Sequence, residues 1–333
     1  MTVGWGIIGI GRHSDARMGP AIKTSRNARF AGVYSRDQGR ADAFAQKHGA
    51  ARGYSDLAAF LADPAIDAVY IGSPNDVHAE QTIACAAAAK HILCDKPLAM
   101  TIDECRRMID AASRAGVLLA TGYNNRFQPA HVVVRDLIQS GELGEPVFIR
   151  ADCASPGSHR PSDWAERSRS GGGSLLNIGS HAADLLRYIT GKEVETVSAL
   201  DDAAESGIDE LSASTMVLDG GSFAQMISSS RLPFPDNALV VHATRGYLRT
   251  RGTIAYDIAG RVDVTVRGGT RSYEFTPPRR GYDVYVAEIE QMSEVIKGQG
   301  TLLATGEDGL EGVRLVNAIL TSAAERRVVT IDR

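Results

Sequence analysis

Through residues 1–123 the chain alternates short apolar runs with longer alanine-rich stretches. The runs are Val3–Ile8, Arg29–Tyr34, Ile66–Ile71, His91–Cys94 and Val117–Thr121. The stretches between them, roughly 16–25, 38–48, 56–62, 77–90 and 101–115, contain few β-branched residues, which favours helix. Short apolar strands separated by helices predict βαβ units and a parallel sheet. Thr101, with Glu104 three residues on, predicts a capping box. Beyond about residue 125 the pattern changes. A helix is predicted over 128–140, a strand near Val147–Asp152, a Ser/Pro/Gly/Arg-rich loop over 154–173 and a helix over 175–190. From 194 to 276 the chain is strand-like, as in Ser212–Leu218, Phe223–Ser229, Leu239–Ala243 and Val262–Val266. The turn signals Asp219-Gly220-Gly221, Arg245-Gly246 and Gly268-Gly269 predict antiparallel pairing. Helices near 283–297 and 308–325 close the chain. The expected fold class is α/β. Domain one, 1–123, is a Rossmann domain with a parallel sheet. Domain two, 124–333, carries a large, mostly antiparallel sheet, with the last helix free to pack back on domain one.

At 333 residues the length fits two domains. With 44% hydrophobic and 23% charged residues, disorder along the whole chain is ruled out. A net charge of −4 argues against a general nucleic-acid coat. Cys85, Cys94, Cys105 and Cys153 include no Cys-x-x-Cys pair. They read as reduced thiols of a cytoplasmic protein, neither a disulfide framework nor a zinc knot, and no metal is expected. No run approaches the ~18 apolar residues of a membrane span, and the N-terminus reads as a strand, not a secretion signal.

Gly9-x-Gly11 falls where the first strand should turn into the first helix. Glycines there permit a tight turn and close approach of the backbone to a pyrophosphate, which the helix N-terminus then attracts. Ser14 takes the third fingerprint position, and Arg12 and His13 are assigned to the cofactor with the glycines. At the end of the second strand Ser35 occupies the place where an NAD site carries an acid, followed by Arg36 and then Arg40. Guanidinium groups suit a 2′-phosphate, so NADP(H) is expected. The alternative is NAD(H), with Asp37 doing the acid's work two residues late.

Cys94-Asp95-Lys96-Pro97 closes a further parallel strand, and such carboxyl ends border the ligand crevice. Proline restricts the turn that presents Lys96, which could exchange a proton with a substrate oxygen. The other reading is a surface lysine opening a loop. Further on, Asn177, His181, Asp184 and Tyr188 share one helical stripe, beside an apolar stripe of Leu175, Ile178, Ala182, Leu185 and Ile189. A solvated face is the ordinary meaning of such a stripe, but this one has no Lys or Glu and reads as site chemistry.

Together these pieces resemble the family of glucose–fructose oxidoreductases, inositol dehydrogenases and rhizopine-catabolism oxidoreductases. The matching motifs are Gly9-x-Gly11, Ser73-Pro74-Asn75-x-x-His78, Asp95-Lys96-Pro97, and the glycines 171–173 leading to Asn177-x-x-x-His181-x-x-Asp184. The resemblance implies a sugar or polyol oxidoreductase with a nicotinamide cofactor. Its antiparallel sheet would serve a homodimer or homotetramer. By the same resemblance Lys96 handles the substrate oxygen before an often cis bond to Pro97, and His181 is the acid/base. Asn177 stands where many members have aspartate, so it hydrogen-bonds substrate without accepting a proton. Asp95 replaces a commoner glutamate, and Ser73, Asn75, His78 and Asp95 are assigned to the cofactor side. Tyr123, Arg126 and Trp164 match substrate positions loosely. Members that reduce 1,5-anhydrofructose with NADPH share the serine at strand two and the cysteine before acid-Lys-Pro. Two other readings are open: a dehydrogenase of non-sugar dihydrodiols, and a non-catalytic NADP-binding regulator.

Overall fold

The computed structural model describes residues 2–156, 172–203, 207–254, 258–276 and 280–333. The protein is α/β, and the chain divides into two compact units, 1–124 with 280–310, and 125–279 with 311–333.

The first unit holds a six-stranded parallel sheet of β1 (Val3–Ile8), β2 (Ala28–Tyr34), β3 (Gly53–Tyr54), β4 (Ala68–Ile71), β5 (His91–Asp95) and β6 (Leu119–Gly122), in the order β3-β2-β1-β4-β5-β6. Every residue of β1 and β4 is buried, the continuous apolar signature of a parallel sheet covered on both faces. Strand order reverses between β1 and β4, and ligands of such sheets bind outside the carboxyl ends at that switch point. The connections carry α1 (Gly19–Thr24), α2 (Gln38–His48), α3 (Leu57–Ala62), α4 (His78–Ala87) and α5 (Ile102–Ala115). At α5 the Thr101–Glu104 capping box forms reciprocally, with Glu104 N–H on Thr101 Oγ1 at 3.2 Å and Thr101 N–H on Glu104 Oε2 at 3.0 Å. Only β3 lacks an apolar run, because two residues are too few to make one.

The second unit starts with α6 (Pro129–Gln139), β7 (Pro146–Ala154) and α7 (Ser180–Thr190). Its strands β8 (Val194–Asp201), β9 (Leu211–Leu218), β10 (Phe223–Ser229), β11 (Ala238–Ala243), β12 (Gly246–Arg251), β13 (Gly260–Val266), β14 (Gly269–Phe275) and β15 (Val329–Thr330) join β7 in one nine-stranded sheet. Its order is β14-β13-β12-β11-β7-β10-β9-β8-β15. Pairing is antiparallel except between β7 and β10. The core lies between the inner sheet face, with Ile149 and Ala151, and the apolar sides of α6 and α7, with Val134, Leu185, Leu186 and Ile189.

The domain boundary departs from the expected 124–333. Residues 280–310, with α8 (Asp283–Ile296), count with the first unit. Trp5 on β1 is fully buried and its indole N–H donates to Ser293 Oγ on α8 at 2.9 Å. A buried indole needs such an acceptor. Arg26 N–H and Asn27 Nδ2 add bonds to Glu290 of the same helix. The division falls inside α9 (Gly306–Glu325).

Candidate active site

At the end of β1 Gly9 has φ +90°, and a Cβ there would sit 2.5 Å from Ser73 N and 2.6 Å from Gly72 C. Only glycine fits a left-handed position pressed against another backbone segment. A Cβ on Gly11 would meet nothing within 4 Å. Ser14 lies in the wide helical turn Ser14–Met18, and its hydroxyl donates back to Gly9 O at 2.5 Å, closing the turn. Arg12 and His13 open this helical segment. Asn75 forms the start of a short 3₁₀ turn after β4, buried, with Nδ2 lacking a hydrogen-bond partner. The Ser73 hydroxyl donates to Gln81 Oε1.

At the end of β2 Ser35 is buried, while Arg36 and Arg40 are exposed. Among the described residues neither guanidinium is ion-paired. The Asp37 carboxylate caps α2, with Oδ1 accepting from Arg40 N–H at 2.7 Å.

The turn after β5 is held from two sides. Asp95 Oδ1 accepts from Lys96 N–H at 2.8 Å, and the Lys96–Pro97 bond is cis. His78 is 1% exposed, with Nδ1 3.1 Å from Pro97 O and Nε2 2.9 Å from Ser73 O. Both ring nitrogens face main-chain carbonyls, so His78 ties the Ser73 turn to the Lys96–Pro97 turn.

Behind this turn lies a cluster that sequence reasoning missed. The His13 ring stands edge-on to Tyr285 at 5.1 Å and 6.5 Å from Tyr70. Burial lowers the His13 pKa, with Asp95 opposing and Lys96 adding to the effect. The Tyr70 hydroxyl is pushed well above its ordinary pKa by burial first and then by Asp95. Glu288, one turn after Tyr285, is 3% exposed, and among the described residues neither carboxyl oxygen has a hydrogen-bond partner. Burial, then the charge on Asp95, raises its pKa well above the carboxylate range. One signal did exist: a glutamate in helical register with Tyr285, Ile289 and Met292.

The second unit carries the other polar group. Asn177 lies in the wide turn Leu175–Gly179, and buried His181 in the first turn of α7. The remaining stripe residues are engaged elsewhere. Asp184 forms a buried pair with Arg126, Nη2 at 2.6 Å and Nε at 3.0 Å. The Tyr188 ring lies between Arg126 and Arg135, at 5.2 and 5.1 Å, and its hydroxyl accepts from Arg135 at 2.8 Å. Arg126 thus meets two residues of α7. Tyr123, after β6, is buried. Trp164, and the predicted loop from 157 to 171, lie outside the described residues. All four cysteines are buried and free. No described helix is long and apolar enough to cross a membrane.

Residues 3–123 match the oxidoreductase family with an NAD-binding Rossmann fold, and residues 131–249 match the GFO/IDH/MocA C-terminal domain. The chain is 30% identical over 332 residues to 1,5-anhydro-D-fructose reductase of Ensifer adhaerens, covering 98% of both. It is 28% identical over 334 residues to myo-inositol 2-dehydrogenase of Thermotoga maritima, again covering 98% of both. The fold matches that of a levoglucosan dehydrogenase in complex with NADH and levoglucosan, with TM-score 0.89, 22% identity and 100% of both chains covered.

Proposed function

The chain belongs to the glucose–fructose oxidoreductase, inositol dehydrogenase and rhizopine-catabolism oxidoreductase family, and from that premise we propose an NADP(H)-dependent oxidoreductase of keto-sugars or polyols. The observation that carries this reading is the braced Asp95–Lys96–Pro97 turn, which stands in one unit with the Gly9 turn. The unit suits a dinucleotide: among the described residues Gly9 and Ser14 close a turn with open space over Gly11, and Asn75 Nδ2 has no hydrogen-bond partner. The residues that would hold it are Gly9, Gly11, Arg12, His13, Ser35, Ser73 and Asn75, with Arg36 and Arg40 on the 2′-phosphate. The Asp37 carboxylate caps α2 through Oδ1, two residues past the place of an NAD acid. When bound, the nicotinamide supplies or accepts the hydride. Lys96 donates a hydrogen bond to the substrate oxygen, stabilising the charge that grows there. His181 passes the proton to that oxygen, or removes it in the opposite direction. Asn177 hydrogen-bonds a neighbouring hydroxyl.

The Ensifer adhaerens relative supports a keto-sugar substrate such as 1,5-anhydrofructose. The test is absorbance at the nicotinamide band for NADPH and NADH against keto-sugars, and NADP and NAD against polyols. Lys96→Ala is expected to cut turnover about 10²–10⁴-fold while NADPH still binds. A fully active Lys96→Ala protein would refute the role. His181→Ala should lose activity with a changed pH profile, and an unaltered profile would make His181 structural. Copies are proposed to associate through the outer sheet face of the second unit, where Phe223 is half exposed. A monomer by sedimentation would overturn that.

A further inference from the structure

Asp209 lies in the loop before β9 and is 3% exposed, and among the described residues it forms no ion pair. Its hydrogen bonds go to the turn that carries Asn177. Ser174 N–H donates to Asp209 O at 2.7 Å, and the buried Ser174 hydroxyl donates to Asp209 Oδ2 at 2.5 Å. Leu175 N–H donates to the same Oδ2 at 2.8 Å. Gly173 has φ +113°, and a Cβ there would sit 2.2 Å from Asp209 Oδ1, so the carboxylate also dictates glycine at 173. From this fixed segment the Gly173 carbonyl accepts twice from Asn177, from N–H at 3.2 Å and from Nδ2 at 2.9 Å.

A carbonyl only accepts, so the Asn177 amide must turn its nitrogen to Gly173 and its oxygen the other way. We propose that Asp209 is the positioning residue for Asn177, locking the Gly173–Leu175 segment so that the carboxamide presents its oxygen to a substrate hydroxyl. The site would thereby select a substrate with a hydroxyl donor beside the reacting carbon. This rests on Asn177 being a substrate-binding residue, as proposed above. Burying a carboxylate is costly unless its lone pairs are used, and here both bonds at Oδ2 go to the N-terminal end of one turn.

The test has two readouts. In ¹⁵N-labelled protein the Asn177 side-chain amide, assigned by its loss in Asn177→Ala, should exchange slowly with solvent in the parent. It should exchange fast in Asp209→Ala and slowly again in Asp209→Asn, whose Oδ1 can accept the same two bonds. With NADPH and 1,5-anhydrofructose, kcat of Asp209→Ala should fall about 10²-fold, the scale of a roughly 1 Å misplacement. NADPH affinity should stay within twofold, and Asp209→Asn should recover most of the loss. Should Asp209→Ala not fold, Ser174→Ala removes one bond of the brace and should show the same changes in weaker form. Unchanged amide exchange in Asp209→Ala and Ser174→Ala overturns the positioning role. Faster exchange with unchanged kcat overturns the substrate-facing part. A parent without turnover on any sugar refutes the proposed function, while the amide readout still decides whether Asp209 holds Asn177.

Discussion

Replacing Arg36 and Arg40 by alanine separates the two readings of the turn between β2 and α2. Both guanidiniums are exposed and, among the described residues, unpaired, so their removal breaks no ion pair of the fold. A hydrogen bond to a charged group contributes about 1.5–3 kcal/mol, which is about 10–150-fold in affinity for each arginine that meets the 2′-phosphate. NADH, lacking that phosphate, should change by less than about twofold. The converse perturbation is Asp37→Ser. Serine is as good an N-cap as aspartate, where loss of a cap costs about 1 kcal/mol. It therefore keeps the bond now made by Asp37 Oδ1 to Arg40 N–H at 2.7 Å while removing the carboxylate. If the carboxylate only caps α2, NADH affinity is unchanged in Asp37→Ser, and NADPH affinity is unchanged or improved. Nicotinamide fluorescence titration at low and moderate salt gives all four constants, and the arginine effect should shrink with salt because both charges face solvent. The reasoning is refuted if the double arginine variant binds NADPH as tightly as the parent, or if Asp37→Ser loses NADH tenfold.

Gly9→Ala is expected to abolish NADPH binding, since its Cβ meets the Ser73 and Gly72 backbone and φ +90° is strained for alanine. Gly11→Ala should fold like the parent yet bind the dinucleotide poorly, because its Cβ meets none of the described residues and would stand where the pyrophosphate is expected; full NADPH affinity in either variant contradicts this. Asn177→Asp, although it installs the residue common in the family, turns a carboxylate toward the Gly173 carbonyl. Turnover should fall at least about fivefold, from the loss of roughly 1 kcal/mol or more at that contact, and an equally active variant would count against it. Buried His131 faces Asn125 O and Thr253 Oγ1, and burial depresses its pKa from 6.5 to about 4. The unfolded chain thus binds a proton that the folded one refuses. This stability is complete above about pH 6.5 and is lost as pH falls toward 4, about 2 kcal/mol between pH 7 and 5. Urea titrations at both pH values should show that loss in the parent and a smaller one in His131→Gln; identical slopes would sink the assignment.

How legible each feature was depended on how far apart in sequence its cause lay. The strands β1, β2, β4, β5 and β6 announce themselves as apolar runs because a doubly covered parallel sheet buries their central side chains on both faces. The capping box at Thr101 and the glycine turn at Gly9 are equally local, with the physics contained within a few residues. Assigning α8 to the first unit instead depends on Trp5 and Ser293, 288 positions apart, and no periodicity reports a hydrogen bond of that span.

The same rule sorts the site. Lys96 could be picked out because its constraint, a proline and an acid, adjoins it in the chain. Along the α7 stripe the partners of Asp184 and Tyr188 are Arg126 and Arg135, on other segments, and no periodicity announces them. The brace at His78 is hidden for the same reason, since its partners are backbone carbonyls, which carry no residue identity. Asp209 is the extreme case, a loop aspartate whose whole meaning is the turn 34 to 35 residues earlier that it holds. Residues that touch substrate tend to sit in recognisable local motifs, whereas those that orient them are drawn from wherever the fold brings a donor or acceptor within reach. Asp209, placed by such distant contacts, is therefore where structure adds most to what the chain already declares.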